Sequence, residues 1–267
     1  MSQSKNKGID FIQGALNDIK TQIENAIITG GYDAKNNLIR TQGPIQLIHN
    51  AISNALEANG INKKSILQEK DLVGLLKKKS QDIIVNMKDI APNPEKIDFG
   101  YLHGEIDSLG HDFTEKALSI NVRSQLSSLA KNFDTLYERT FAEALNLHLR
   151  CPKMVLGELY MIPLYEYSSL WAKSNTVKFE LSLKNLEKYL LAFESINQRT
   201  SIHDELYKYE KICLLLVDFR KNPPQIYNSN EELIKEGLIT KNSRVSIENL
   251  NFLNFIPGLI SIYNKRF

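Results

Sequence analysis

The sequence predicts an α/β fold with a mixed central sheet flanked by helices. Long segments with apolar residues at helical spacing alternate with short apolar runs. Two of those runs, KMVLGELYMIPL (153–164) and KICLLLVDF (211–219), are apolar on both faces, as strands inside a sheet are. A third segment, 118–148, changes from a period of two to a helical period within a few residues.

The elements follow in chain order. Ile9, Phe11, Ile12, Ala15, Leu16, Ile19, Ile23, Ala26 and Ile27 form one helical stripe, which Gly30-Gly31 is expected to stop. Pro44 opens a second helix, with Ile45, Ile48, Ala51, Ile52, Ala55 and Leu56 on its face, and Asn59-Gly60 ends it. A third short helix is expected within 63–76. Residues 1–76 therefore read as a helical N-terminal subdomain, and 77–267 as the α/β domain. At Lys77 a basic run, KKKSQDIIVNM, enters a strand whose apolar part is Ile83, Ile84 and Val85. Pro92, Pro94 and scattered glycines make 90–112 rich in loops. The strand 118–125 and a helix to about 149 come next, followed by the 153–164 strand. A short strand is expected at VKFEL (177–181) and a helix from Leu183 to Ile196, followed by the 211–219 strand. Pro223-Pro224 interrupts the chain before helices from Glu231 and Leu250.

A chain of 267 residues with 42% hydrophobic and 24% charged residues buries a sizeable core and is not disordered. Its net charge of +2 neither supports nor excludes nucleic acid, because a local basic cleft can sit on a near-neutral surface. Cys151 and Cys213 lie among apolar residues and read as buried thiols of a reducing, cytoplasmic compartment. The opening MSQSKNKG is polar, so no secretory leader is expected. No apolar run has the roughly 20 residues a membrane span needs. Glycine-rich phosphate loops, nucleophile elbows and HExxH are absent from the sequence.

The chemistry-bearing pattern lies at 118–125. Leu118, Ile120 and Val122 point one way; Ser119, Asn121, Arg123 and Gln125 point the other. Polar groups aligned on an interior strand cost free energy unless paired or used. Asp82, at the entrance of an earlier strand, adds an acid. An acid on one strand and a polar row ending in a cation on the next suit metal-assisted phosphodiester hydrolysis. Carboxylates would hold a divalent ion beside the phosphate, and the cation would offset charge growing in the transition state. A plainer reading has Asp82 countering Lys77, Lys78 and Lys79, with Ser124 and Gln125 capping the helix. Glu105, Asp107 and Asp112 match no metal signature near His103 and His111 and read as a surface loop. Glu158, in an apolar strand, must be paired or functional. Glu69 is a weaker candidate for the site, and His49, His148 and His203 read as structural.

The succession QDIIV, NVRSQ, LAKNF and LYERTFAEA, followed by GELYMIP and CLLLVDF, resembles the PD-(D/E)XK nuclease superfamily and within it the type II restriction endonucleases. The resemblance runs from about Lys77 to the end. It implies a restriction-endonuclease-like sheet and a site-specific deoxyribonuclease of a restriction system. It also implies Mg²⁺ as cofactor, double-stranded DNA as substrate and a homodimer matched to two-fold sites. The superfamily pattern calls for a second acid and a lysine where this chain has Asn121 and Arg123. An acid displaced onto the following helix would restore the set. Glu138, at the border of the stripe Phe133, Tyr137, Phe141 and Leu145, is the first candidate, and Glu143 the second. Asp82 and Glu138 would then hold the metal, with Asn121 and Gln125 beside them. Arg123 cannot give up a proton, so its role would be electrostatic. Lys77, Lys78, Lys79 and Lys131 would contact DNA phosphates. Two alternatives stand beside this reading: a structural Arg123–Glu138 pair, and a DNA-binding protein that has kept the fold and lost the chemistry.

Overall fold

The computed structural model describes residues 2–126, 129–182 and 185–267, with the side chains of 8–126, 133–182 and 185–267. The helices are α1 (Ser2–Arg40), α2 (Gly43–Ala58), α3 (His111–Glu115), α4 (Leu129–Arg150), α5 (Ser169–Ala172), α6 (Leu186–Ser195), α7 (Asn230–Lys235) and α8 (Phe252–Arg266). The strands are β1 (Ile66–Val73), β2 (Lys78–Val85), β3 (Glu95–Lys96), β4 (Ile106–Asp107), β5 (Leu118–Ser124), β6 (Val155–Pro163), β7 (Tyr165–Tyr167), β8 (Phe179–Leu181), β9 (Lys211–Asp218) and β10 (Gln225–Tyr227).

Six strands form one mixed sheet in the order β1-β2-β5-β6-β9-β10. β1, β2 and β5 are antiparallel neighbours, β5, β6 and β9 run parallel, and β10 returns antiparallel at the far edge. Alternation along the strands feeds two cores. Ile83, Val85, Leu118, Ile120, Val122, Leu159, Cys213 and Leu215 pack with α1, α2 and α8 on one face. Ile84, Leu156, Tyr160, Ile212, Leu214 and Leu216 pack with α4, α6 and the segment around α7 on the other. β6 and β9 are buried on both faces, as their sequences predict.

Several expectations change. Only Lys63–Ser65 of the segment read as a third helix is helical, as one 3-10 turn; Ile66–Val73 is an edge strand paired with β2. Alternation there is weak because four successive residues, Gln68, Glu69, Lys70 and Asp71, are exposed, so neither face of that stretch is apolar. The stop at Gly30-Gly31 holds: α1 comprises two helices that meet across a kink at Gly31, whose φ 63° and ψ −143° are not helical, and the second runs to Arg40. A side chain at Gly31 would meet the Ala172 carbonyl at 2.8 Å in a backbone region that favours glycine. Asp107 is not on the surface. Its carboxylate is buried, 2.7 Å from Arg150, and accepts the Leu109 and Gly110 N–H groups. The expected helix start at Leu183 lies outside the described residues. Among the described residues no helix is long and apolar enough to cross a membrane.

One clamp fixes β2 against α4. Asn146 accepts the Leu76 and Lys77 N–H groups at 2.7 and 3.1 Å and donates to the Lys77 carbonyl at 2.9 Å. Gly74 lies against it, since a Cβ there would fall 2.2 Å from Asn146 Nδ2. Asn146→Ala removes three hydrogen bonds and is expected to destabilise the fold by about 2–3 kcal/mol. Urea unfolding measures this, and a loss below about 0.5 kcal/mol would mean that packing alone holds the turn.

Candidate active site at the split between two strands

The β2–β5 ladder runs from Val85↔Leu118 to Ile83↔Ile120. Beyond it, side chains replace backbone partners. Asp82 N–H donates to Asn121 Oδ1 at 3.2 Å, and Val122 N–H donates to Asp82 Oδ2 at 2.7 Å. Strand β2 also turns over here. Lys79 and Gln81 reach α4, whereas Ile83 and Val85, which would share their face in a regular strand, pack beneath α1 and α2. On the other side of β2 the Glu69/Asp82 pairing is missing, and Glu69 has φ 52°. An irregularity of this kind twists a strand and re-aims its side chains.

A cleft of about 520 Å³ occupies the split. His49 lines it from α2, Lys79 and Asp82 from β2, Asn121 and Arg123 from β5, and Glu143 from α4. Glu143 is 3% exposed and accepts from four side chains. Asn121 Nδ2 and Gln81 Nε2 (3.1 Å) donate to Oε1; Lys79 Nζ (2.6 Å) and Arg123 Nη2 (2.9 Å) donate to Oε2. Gln81 is held in turn by Ser119, whose hydroxyl donates to Gln81 Oε1 at 2.6 Å. Arg123 Nε donates to Glu158 Oε1 at 2.5 Å. The polar row of β5 is thus paired, residue by residue, with acids on α4 and β6 and with the start of β2.

Charge follows from these contacts. Burial would raise the Glu143 carboxyl, but Arg123 and Lys79, helped by Gln81, outweigh it and leave it below the usual range. Glu158 has only Arg123 and is fully enclosed, so burial wins and its pKa rises to about 7. Burial raises Asp82 as well, against the pull of the Val122 N–H and of His49. Burial lowers His49 and keeps it neutral. Three carboxylates face two permanent cations, so one negative charge is uncompensated when all three acids are ionised. Glu158 supplies a test of these assignments. Its folded pKa lies above its unfolded value, so its ionisation costs stability progressively from about pH 4.5 to 7. Glu158→Gln should flatten that part of the stability–pH curve; an unchanged slope would mean that Glu158 does not titrate there.

Asp82, Asn121 and Arg123 come together as the sequence predicts. Glu138 does not join them: it is exposed on α4. Glu143, five residues on and about 140° around the helix, takes that place. Arg123 accordingly pairs with Glu143 and Glu158, and not with Glu138. The Gln125 N–H donates to the Met161 carbonyl at 3.1 Å, and Gln125 is not among the residues lining the cleft. Lys77 is exposed, Lys78 pairs with Glu105 at 2.8 Å, and Lys79 is committed to Glu143. The Lys131 side chain lies outside the described residues.

His49 reads as structural in the sequence but lies at the cleft. It is 3% exposed, Nε2 is 3.7 Å from Asp82 Oδ2, and neither ring nitrogen has a hydrogen-bond partner. Only its place on the buried face of α2 was visible beforehand. Glu158 Oε2 is likewise buried without a partner. Such atoms are expected where a bound ion or water completes a site. Asp82 and Glu143 supply carboxylate oxygens on the cleft walls, the donor type that suits a hard divalent cation; Glu158 lies behind Arg123 and does not line the cleft. The chain matches no family model, and no curated protein or solved structure is detectably similar to it.

Proposed function

We propose that this chain is a Mg²⁺-dependent endonuclease that hydrolyses double-stranded DNA, with the core of the PD-(D/E)XK restriction enzymes. The observation that carries the reading is the meeting of Asp82 on β2, Arg123 on β5 and Glu143 on α4 at one open cleft. The order of elements supports it: an Asp-bearing strand, an antiparallel neighbour ending in a cation, a helix with an inward acid, then parallel strands.

Asp82 and Glu143 are the residues that would hold the cation, because both face the cleft and Asp82 Oδ1 has no partner among the described residues. When bound, Mg²⁺ would lower the pKa of a water and polarise the phosphate. Arg123 is aimed by Glu158 and Glu143 through Nε and Nη2, which leaves Nη1 to stabilise charge on the phosphate oxygens. Arginine cannot act as the base. His49 Nε2, neutral and beside Asp82, can accept the proton of the attacking water. A two-fold homodimer would place two such clefts on the two strands of a palindromic site.

Incubation of supercoiled plasmid with the purified chain tests the proposal. Discrete linear products that need Mg²⁺ and disappear with chelator are expected. Replacement of the usual acid and lysine by Asn121 and Arg123 favours one other reading, a DNA-binding protein without catalysis. Stable DNA binding with no nicking in Mg²⁺ or Mn²⁺ would establish that reading instead.

A further inference from the structure

A second group of metal-binding side chains lies away from the cleft, where α3 meets the end of α4. His111 and Glu115 are four residues apart on α3 and share a helical face. Cys151 directly follows α4. One ligand atom of each lies within 4.8 Å of the other two. We propose that His111, Glu115 and Cys151 form a zinc-type metal site that staples α3 to the end of α4.

Four features support the assignment. Glu115 Oε2 is buried without a hydrogen-bond partner, which costs free energy unless a ligand completes it. His111 Nε2 lies 3.2 Å from the Arg150 carbonyl. A proton on Nε2 fixes the tautomer and leaves Nδ1 as the ligating nitrogen, the outer-shell arrangement usual for metal-bound histidine. Cys151 is a free, wholly buried thiol beside that same carboxylate. Its thiolate and the Glu115 carboxylate together carry two negative charges, which a divalent ion neutralises; the thiol proton is released to solvent on binding. Sulfur, nitrogen and oxygen donors together suit Zn²⁺ and its substitute Co²⁺, and they reject Mg²⁺. Three protein ligands leave a fourth position for water on the exposed His111 side. The site does not depend on the reading of the cleft.

The test is titration of the metal-stripped, full-length protein with Co²⁺, read through the thiolate-to-cobalt charge-transfer band. One equivalent should bind, Zn²⁺ should displace it, and millimolar Mg²⁺ should not. Cys151→Ser should abolish the band, and Cys213→Ser, in the other core, should keep it. Because the Cys151 variant replaces a fully buried residue, His111→Ala is the companion: its side chain is exposed, and Co²⁺ affinity should fall at least about tenfold. Absence of the band, its survival in Cys151→Ser, or an unchanged affinity in His111→Ala would overturn the site.

Discussion

Glu143→Gln is expected to reduce Mg²⁺-dependent DNA cleavage by roughly 10²–10³-fold, the scale of one lost electrostatic contributor in a preorganised site. Glu138→Ala is expected to change it by no more than about twofold, as for other exposed positions. The amide keeps the size of Glu143 and its oxygen can still accept from Gln81 and Asn121, so the variant separates charge from shape. Lys79 and Arg123 lose the anion they share, and the cleft loses a carboxylate able to hold the cation. Asp82→Ala should behave like Glu143→Gln in cleavage while both variants keep DNA binding. Initial rates on plasmid, with binding measured in Ca²⁺, distinguish these outcomes. An inactive Glu138→Ala beside an active Glu143→Gln would mean that the helix supplies its acid from the other face and would remove the basis of the proposed site.

The largest expected effect on stability belongs to Glu210. Its carboxylate, immediately before β9, is fully buried and joins four parts of the chain. Arg199 and Arg266 each approach Oε1 at 2.7 Å; Leu156 N–H donates to Oε2 at 2.7 Å, and His148 Nε2 lies 3.5 Å from it. Glu210→Ala leaves two guanidinium groups buried or nearly so without their anion, which costs about 3–5 kcal/mol. For a chain of this size that is a fall in Tm on the order of 10 °C. Burial alone would raise this carboxyl, but His148, Arg266 and Arg199 outweigh burial and bring it to about 2. Its folded pKa therefore lies below its unfolded value of 4.5. The stability it contributes is complete above about pH 4.5 and disappears as pH falls towards 2. Denaturation midpoints of wild type and Glu210→Gln should converge over that interval. A constant difference across it would mean that the carboxylate charge is not what holds these elements.

Most of the sheet was legible because interior strands declare themselves. KMVLGELYMIP and KICLLLVD are short runs, apolar on both faces and bounded by turn residues, the pattern of a strand paired on both sides inside a sheet. The polar row of β5 was legible for the same reason: Asn121 and Arg123 break a pattern that burial would otherwise enforce. β1 was not, because Lys70 and Asp71 on an exposed edge carry no such pattern. The acid on α4 was misplaced for a related reason. Glu138 and Glu143 both border apolar residues, and a helical period does not tell an acid facing water from one facing a buried arginine.

Sequence alone determined that one strand carries a polar row where an apolar one belongs, that an earlier strand carries an aspartate beside its apolar run, and that an acid-bearing helix follows. Periodicity is a local property, and it requires only the chain's own geometry. Tertiary structure decided which acid meets Arg123, that His49 lies against Asp82, and that His111 and Glu115 meet Cys151 some forty residues away. Those outcomes depend on how helices rotate and where two strands part. The packing of the whole molecule sets both, and no single segment encodes them.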